Sequence, residues 1–482
     1  MRRLHRIQFA KYCQRAALAA AALALASPPL SALEPETSVY ERPGGHELNE
    51  FLRRLARMHA DGSMSLDWRN VGPRKPGFET QIQNEVYLAD MYFGIYGPFF
   101  DDVPFQIEMN WPTASQGRPQ LNQLNFSYRG IDKVLLQFGK LLVPYGRYNE
   151  LYRPDQFLTV TRPLLYASPD SLDLVVRLNS PRPPLSLGYT DVGARASVYP
   201  DARSAWIPDE ATLFVVNGLG ETNNRLRTFP NTDNLGIPGV PGNGSTIDFG
   251  HQDNNLADNN NQKTVGGRLV FSLGDLRFPW PIPEGASDLK GVNIGFSGMD
   301  GQYDLEGHLN YQMYCADWSF DYLGFDFSGE YEYAVNQFLD PLIEPDGTPA
   351  DPVVQRKDFE VNRGYFVQAA VPLLRHPAVG RRLTGVLVFN QLFRRGPIQD
   401  LLLNTKIGGT VFASANGLRA NPERATTRMD KYTAALNYQL TDHFTLKFDY
   451  SYWVMGHAST RSVTSLGLVD IYQSAFSVVM SF

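Results

Sequence analysis

Apolar and polar side chains alternate with period two along most of this chain. In 431–440, KYTAALNYQL, Tyr432, Ala434, Leu436, Tyr438 and Leu440 fall on one side, and Thr433, Ala435, Asn437 and Gln439 on the other. In 444–453, Phe444, Leu446, Phe448, Tyr450 and Tyr452 oppose Thr445, Lys447, Asp449 and Ser451. The last segment, 472–482, puts Phe476, Val478, Met480 and Phe482 on a face opposite Ala475, Ser477, Val479 and Ser481. Side chains on a strand point to alternate faces, so each segment predicts a β-strand. The same reading picks out 62–69, 86–97, 103–111, 120–129, 133–143, 192–199, 211–218, 264–273, 291–299, 305–314, 323–335, 365–373 and 383–393. Together these make sixteen predicted strands.

The connections alternate in length. Short ones fall at 99–102, 130–132, 200–209, 315–318, 375–381 and 441–443, and long ones at 144–185, 219–263, 336–361, 394–429 and 454–467. An even number of strands of about ten residues, with short turns at one end and long loops at the other, predicts an all-β transmembrane antiparallel barrel. Aromatic residues at both ends of the apolar face in 323–335 fit a lipid interface. The mean hydropathy of −0.28 would be low for a helical membrane protein, but a barrel keeps a polar lumen face on every strand.

The N-terminus has a different pattern. MRRLHRIQFAKYCQR is basic, 16–26 is a short apolar run, and SPPLSA follows. This predicts a secretory signal over 1–32, cleaved after Ala26 or Ala32. Residues 33–61 then form a periplasmic segment, and 62–482 the barrel. Within 46–62, HELNEFLRRLARMHADG, Leu48, Phe51, Leu52 and Leu55 share a stripe that predicts a short amphipathic helix ended by Gly62.

Charge and cysteine count narrow the function. Residues 1–32 carry Arg2, Arg3, Arg6, Lys11 and Arg15 and no acid, so of the overall −6 the remainder holds −11. That argues against nucleic acid as a partner. Cys13 goes with the signal, and Cys315 alone forms no internal disulfide. No histidine has a metal-ligand spacing and no serine sits in G-x-S-x-G, so enzyme chemistry, metal and cofactor are not expected. His308, beside Glu306 on a polar face, reads as a wall residue rather than a catalytic one. Asp253 and Asp258, in an Asn-rich stretch, lack the order of a calcium loop.

The segment 144–185 stands out. It is too long for a hairpin, and such loops are commonly functional. Arg147, Arg153 and Arg162 stand among carboxylates and tyrosines there. Folded inward, the loop would narrow the pore and set those arginines against lumen carboxylates. The candidate pore-lining set is Arg147, Arg153, Arg162, Glu108, Asp326, Glu330, Glu332, Arg195 and Arg268.

Three resemblances attach to these residues. Phe482, with Met480, Val478 and Phe476 on its face, resembles the signal by which outer-membrane barrels are recognised by their assembly machinery. Sixteen strands with a long connection after the fifth are similar to the bacterial general porins, whose third external loop folds inward as the constriction. GKLLVPYGRYNE (139–150) resembles the G-x-x-x-x-P-[FY]-G segment of the phosphate-selective porins, whose anion selectivity rests on basic pore-lining residues. Here the lumen set mixes Glu108, Glu306, Asp326, Glu330, Glu332 and Asp449 with Arg195, Arg268 and Lys447. The expectation is a passive channel in the outer membrane of a Gram-negative bacterium, passing small polar or ionic solutes. Its partners are outer-membrane lipid and the barrel-assembly machinery, with a homotrimer as one assembly. The alternatives are a structural or surface-binding barrel with a blocked lumen and, third, a barrel enzyme.

Overall fold

The structure is a computed structural model. It describes residues 57–73, 83–100, 102–111, 119–167, 184–200, 207–221, 247–248, 262–277, 288–303, 309–340, 356–376, 381–407, 410–458 and 469–482. Sixteen antiparallel strands close into one barrel, each paired with its neighbours in chain order and the last with the first. They are β1 (His59–Pro73), β2 (Gln83–Phe100), β3 (Val103–Asn110), β4 (Gln120–Ile131), β5 (Val134–Leu142), β6 (Thr190–Val198), β7 (Glu210–Val216) and β8 (Thr264–Arg277). The second half comprises β9 (Asp288–Gln302), β10 (Asn310–Tyr322), β11 (Phe325–Asp340), β12 (Arg356–His376), β13 (Arg381–Ile407), β14 (Thr410–Thr441), β15 (Phe444–Ala458) and β16 (Val469–Ser481). Each predicted strand corresponds to one of these.

Alternation has the sense a membrane requires. Leu213, Leu387, Phe138, Phe296, Tyr432, Leu436, Phe448 and Tyr450 stand exposed on the outside. Their strand neighbours Thr212, Ser297, Lys431, Thr433, Lys447, Asp449 and Ser451 are buried in the lumen. A chain that exposes its apolar residues and buries its charged ones is built for lipid outside and polar contents inside. Closure leaves no strand edge unpaired, which the hydrocarbon demands. The exterior also carries aromatic contacts across successive strands: Tyr365–Phe389 at 5.8 Å, Phe389–Tyr432 at 5.0 Å, Tyr432–Tyr452 at 6.3 Å and Tyr452–Tyr472 at 4.9 Å. The chain is a closed sixteen-stranded β-barrel of the membrane-spanning kind.

The seam lies between β1 and β16. Ser63 pairs with Ser481, and the register continues to Pro73 and Ile471. One residue further, Gly62 and Phe482 exchange two backbone hydrogen bonds of 3.0 Å. A Cβ on Gly62 would meet the Phe482 ring at 2.5 Å and the Tyr92 carbonyl at 2.7 Å.

Four expectations need correction. Residues 315–318 are not a turn: they lie inside β10, and the reversal to β11 is the pair Leu323–Gly324. Both of those residues have positive φ, 52° and 80°, as a two-residue type I′ hairpin requires. Asp317 reads as a turn residue, but here it alternates into the lumen at 4% exposure. Residues 394–429 are not simply a loop either. The β13–β14 hairpin stays paired from Arg394↔Thr427 to Ile407↔Thr410, with register shifts. Outside the bilayer both strand faces meet water, so the apolar alternation that marks a strand is not needed. Similarly, β11 runs on to Asp340 and β12 begins at Arg356, which shortens the expected loop 336–361. Finally, β1 starts at His59, so the end of the predicted helix, including Gly62, is strand. The signal, residues 46–56, Asp253, Asp258 and His308 lie outside the described residues.

Candidate functional site

Segment 143–167 turns into the barrel. The Val143 amide, where the segment leaves β5, donates at 3.0 Å to the carbonyl of Tyr189, just before β6. Asn149 reinforces this. Its Nδ2 donates to the Val143 carbonyl at 3.0 Å, and its Oδ1 accepts from the Tyr189 amide at 2.9 Å. Gly146, at φ 69°, lets the chain turn against the wall. A side chain there would run into Glu330 and the Tyr166 hydroxyl. A single helical turn, Arg147–Glu150, follows.

From there the loop bonds to the lumen wall on opposite sides. On β11, Glu330 accepts the Tyr148 amide at 3.0 Å and the Tyr166 hydroxyl. On β9, Ser297 Oγ accepts the Gly146 amide at 3.2 Å, and on β10, Arg147 bonds Ser319. On β3, half-way round the ring of sixteen from β11, Glu108 accepts the Tyr152 hydroxyl at 2.6 Å and Arg153 Nε at 2.9 Å. Arg153 also donates to Asp61 of β1 at 2.7 Å. Arg162 pairs with Asp90 of β2. On β15, Asp449 Oδ2 accepts the Val160 amide at 3.1 Å, the Thr161 amide at 2.7 Å and the Thr161 hydroxyl at 2.9 Å. Lys447 reaches the Pro154 and Phe157 carbonyls, each at 2.5 Å, and Lys431 the Arg162 carbonyl at 2.8 Å.

An apolar cluster forms within this polar wall. Tyr148 stacks on Phe157 at 5.2 Å and on Tyr166 at 5.8 Å, and meets Phe366 of β12 edge-on at 5.2 Å. Tyr145, Leu165 and Tyr166 are buried to 1% exposure or less. Burial, and then the charge of Glu108, push the Tyr152 hydroxyl up, which keeps it a donor. Burial, with Glu330 alongside, does the same for Tyr166. Burial opposes the charge on Arg153, but its bonds to Asp61 and Glu108 outweigh that and hold the guanidinium above its usual value.

The candidate residues divide accordingly. Glu108, Glu330, Glu332 and Arg268 do reach the lumen side but are buried, at 0, 1, 0 and 4% exposure. Arg268 is bidentate to Asp317, at 2.6 and 3.2 Å. Arg147 and Asp326 are exposed, and Arg153, Arg162 and Arg195 partly so. Of the loop arginines, Arg147 lies within electrostatic reach of Asp326 on β11. Arg153 and Arg162 are neutralised on their own side by Glu108, Asp61 and Asp90, while Glu330 receives a backbone amide and a phenol. Asp61, Asp90, Asn149 and Thr161 were missed. For Asp61, Asp90 and Thr161 the partners lie 92, 72 and 288 residues away in sequence. The available signal was only a charged residue on the inward phase of a strand, such as Asp90 in 86–97.

Beside the loop a recess of about 360 Å³ remains open. Gln106, Gln123, Asn125, Gln137, Gln156, Asp61, Tyr152, Arg153 and Arg195 contribute to its lining. It lies mainly against β3–β6 and offers amides, two guanidiniums and one carboxylate.

No family model and no curated protein matches this chain. Solved structures similar to it include the anion-selective porin from Comamonas acidovorans, at 9% identity and TM-score 0.46, covering 88% of this chain and 99% of that one. The outer-membrane channel DcaP of Acinetobacter baumannii is 10% identical at TM-score 0.45, covering 88% and 97%. OmpT, an outer membrane protein of Vibrio cholerae in trimer form, is 6% identical at TM-score 0.44, covering 88% and 100%. At such identities and TM-scores these likenesses assign no solute, selectivity or oligomeric state here.

Proposed function

We propose that the chain is a passive outer-membrane channel for small polar or ionic solutes, with segment 144–185 as its constriction. The observation that carries this reading is the run of loop-to-wall bonds that spans the lumen from Glu108 and Asp61 to Glu330. The open space on which this proposal draws is the amide-lined recess beside the loop. Amide side chains replace water's hydrogen bonds to a polar solute without holding it, which suits diffusion. Arg153 is balanced by Glu108 and Asp61. With Arg195, whose Nε is unpartnered among the described residues, the two carboxylates Asp61 and Glu108 are matched by two guanidiniums around the recess. Among the described residues, Arg195 is the cation there without a carboxylate bonded to it, so it is the group through which ion preference is tested.

Planar-bilayer recording tests both parts. Stepwise conductance is expected from the purified protein. Replacing Arg195 with Gln should shift the reversal potential toward cations at low salt, and the shift should shrink near 1 M, where the Debye length is roughly 3 Å. A second reading, a barrel with a blocked lumen whose loops bind a partner, draws on the apolar cluster around Tyr148 inside the barrel. Absence of any conductance from folded, inserted protein would favour it over the channel.

The N-terminal boundaries enter the same proposal: cleavage after Ala26 or Ala32, a periplasmic stretch that ends where β1 begins at His59, and Phe482, Met480, Val478 and Phe476 as the face that assembly machinery reads. N-terminal sequencing of mature protein from outer membranes checks the first of these.

A further inference from the structure

Cys315, Glu330 and Glu332 meet behind the loop. The hairpin register sets Cys315 directly across from Glu332, and Glu330 across from Asp317. All three face the lumen and all are buried, and their ligand atoms lie within 4.8 Å of one another. The nearby cation, Arg268, is bound to Asp317. Glu330 uses one oxygen for the Tyr166 hydroxyl and the other for the Tyr148 amide. Glu332, at 0% exposure, has no well-formed hydrogen bond to either oxygen among the described residues, with the Tyr166 hydroxyl and Glu330 as its close polar neighbours. A separate observation comes from the loop. The hydroxyl of Tyr145, also at 0% exposure, is unpartnered among the described residues. Its electrostatic neighbours are Glu332, Cys315 and Glu330.

The geometry points to a divalent cation site of the zinc class, held by Cys315, Glu330 and Glu332 with Tyr145 facing it from the loop. The chemistry of the set selects the ion. A thiolate with two carboxylates suits a borderline-soft, low-coordinate cation, whereas calcium and magnesium take oxygen ligands in greater number. Zinc bonds of about 2.0–2.3 Å place ligands roughly 3.5 Å apart, so side-chain rotation is enough to close the set. Binding releases the thiol proton and the proton that the two carboxylates otherwise share, and leaves one negative charge over the dication, the thiolate and the two carboxylates. The fourth position falls to water on the Tyr145 side. The ion would also fix Glu330, the residue on which the loop rests, so occupancy would stiffen the seat of the loop.

Because the site is covered, metal is supplied during refolding of chelator-stripped protein. One equivalent of zinc should remain after gel filtration, measured by elemental mass spectrometry. Cobalt loaded the same way should give a near-ultraviolet thiolate-to-metal charge-transfer band. Cys315→Ser should abolish that band, and Glu332→Gln should lower affinity at least tenfold. Folding of each variant is read from heat-modifiable gel mobility. If Glu332→Gln does not fold, Cys315→Ser, a one-atom change, decides alone. The proposal is overturned if folded protein retains no zinc, which would mean the carboxylates share a proton instead. It is likewise overturned if cobalt binds without the band, or if both variants bind as the parent does.

Discussion

At the residue scale, Glu108 and Arg153 show how the loop is secured. Glu108 is fully buried on β3 and accepts from Asn122, Tyr152 and Arg153. Removing one partner of such a pair leaves an uncompensated buried charge, which costs more than the bond itself. Arg153→Ala should therefore destabilise the seated loop by about 3–5 kcal/mol. The expected readouts are faster protease cleavage within 144–185 and noisier single-channel current, with the barrel still heat-modifiable. Unchanged cleavage would show that Arg153 does not anchor the loop. Gly62 has a comparable role at the seam. Gly62→Val would press a branched side chain on the Phe482 ring and the Tyr92 carbonyl, an overpacking cost of about 1–3 kcal/mol. A lower folded fraction in the outer membrane is expected, and deleting Phe482 should act in the same direction, since it removes two closing backbone bonds.

At the element scale, the inward loop behaves as a crossbar between walls rather than a lid. Its far part rests on β15, where Thr161 Oγ1 lies 3.3 Å from Ser451 Oγ. Cysteines at 161 and 451 should therefore form a disulfide on mild oxidation. If the seated loop is the conducting arrangement, the crosslink should leave conductance unchanged. A fall in conductance on oxidation, reversed by reductant, would instead mean that current flows when the loop has left the wall. The strands make a complementary prediction. Leu387 is 64% exposed on the outer face of β13. Leu387→Arg at the lipid face should cost about 2–4 kcal/mol near the bilayer midplane and reduce insertion.

At the scale of the whole molecule, strand order fixes which connections share a side. The β10–β11 turn at Leu323–Gly324 and the β14–β15 turn at 442–443 lie at one end, and the β11–β12 and β13–β14 connections at the other. With the short turns periplasmic, a cysteine at Thr348 should react with a membrane-impermeant maleimide on intact cells, and one at Asp442 only after permeabilisation. The opposite labelling would invert the barrel.

Period-two alternation was enough to determine the barrel. Tyr432 and Leu436 outside, with Lys431 and Thr433 inside, could be read directly from 431–440, because a pleated strand turns sequence parity into sidedness. Parity also placed Glu108, Glu330 and Glu332 on the lumen face. It did not determine what each inward residue meets. Arg162 with Asp90, Thr161 with Asp449 and Tyr148 with Glu330 are joined by closure of the ring and by a loop crossing its diameter, and no local spacing encodes either. Turn chemistry misled at Asp317 for a related reason: an acid in sequence reads as a bend until the register shows it pointing into a covered lumen. The pairing of Cys315 with Glu332 depends on where the hairpin turns, and only the folded register, with its reversal at Leu323–Gly324, brings that thiol against two carboxylates.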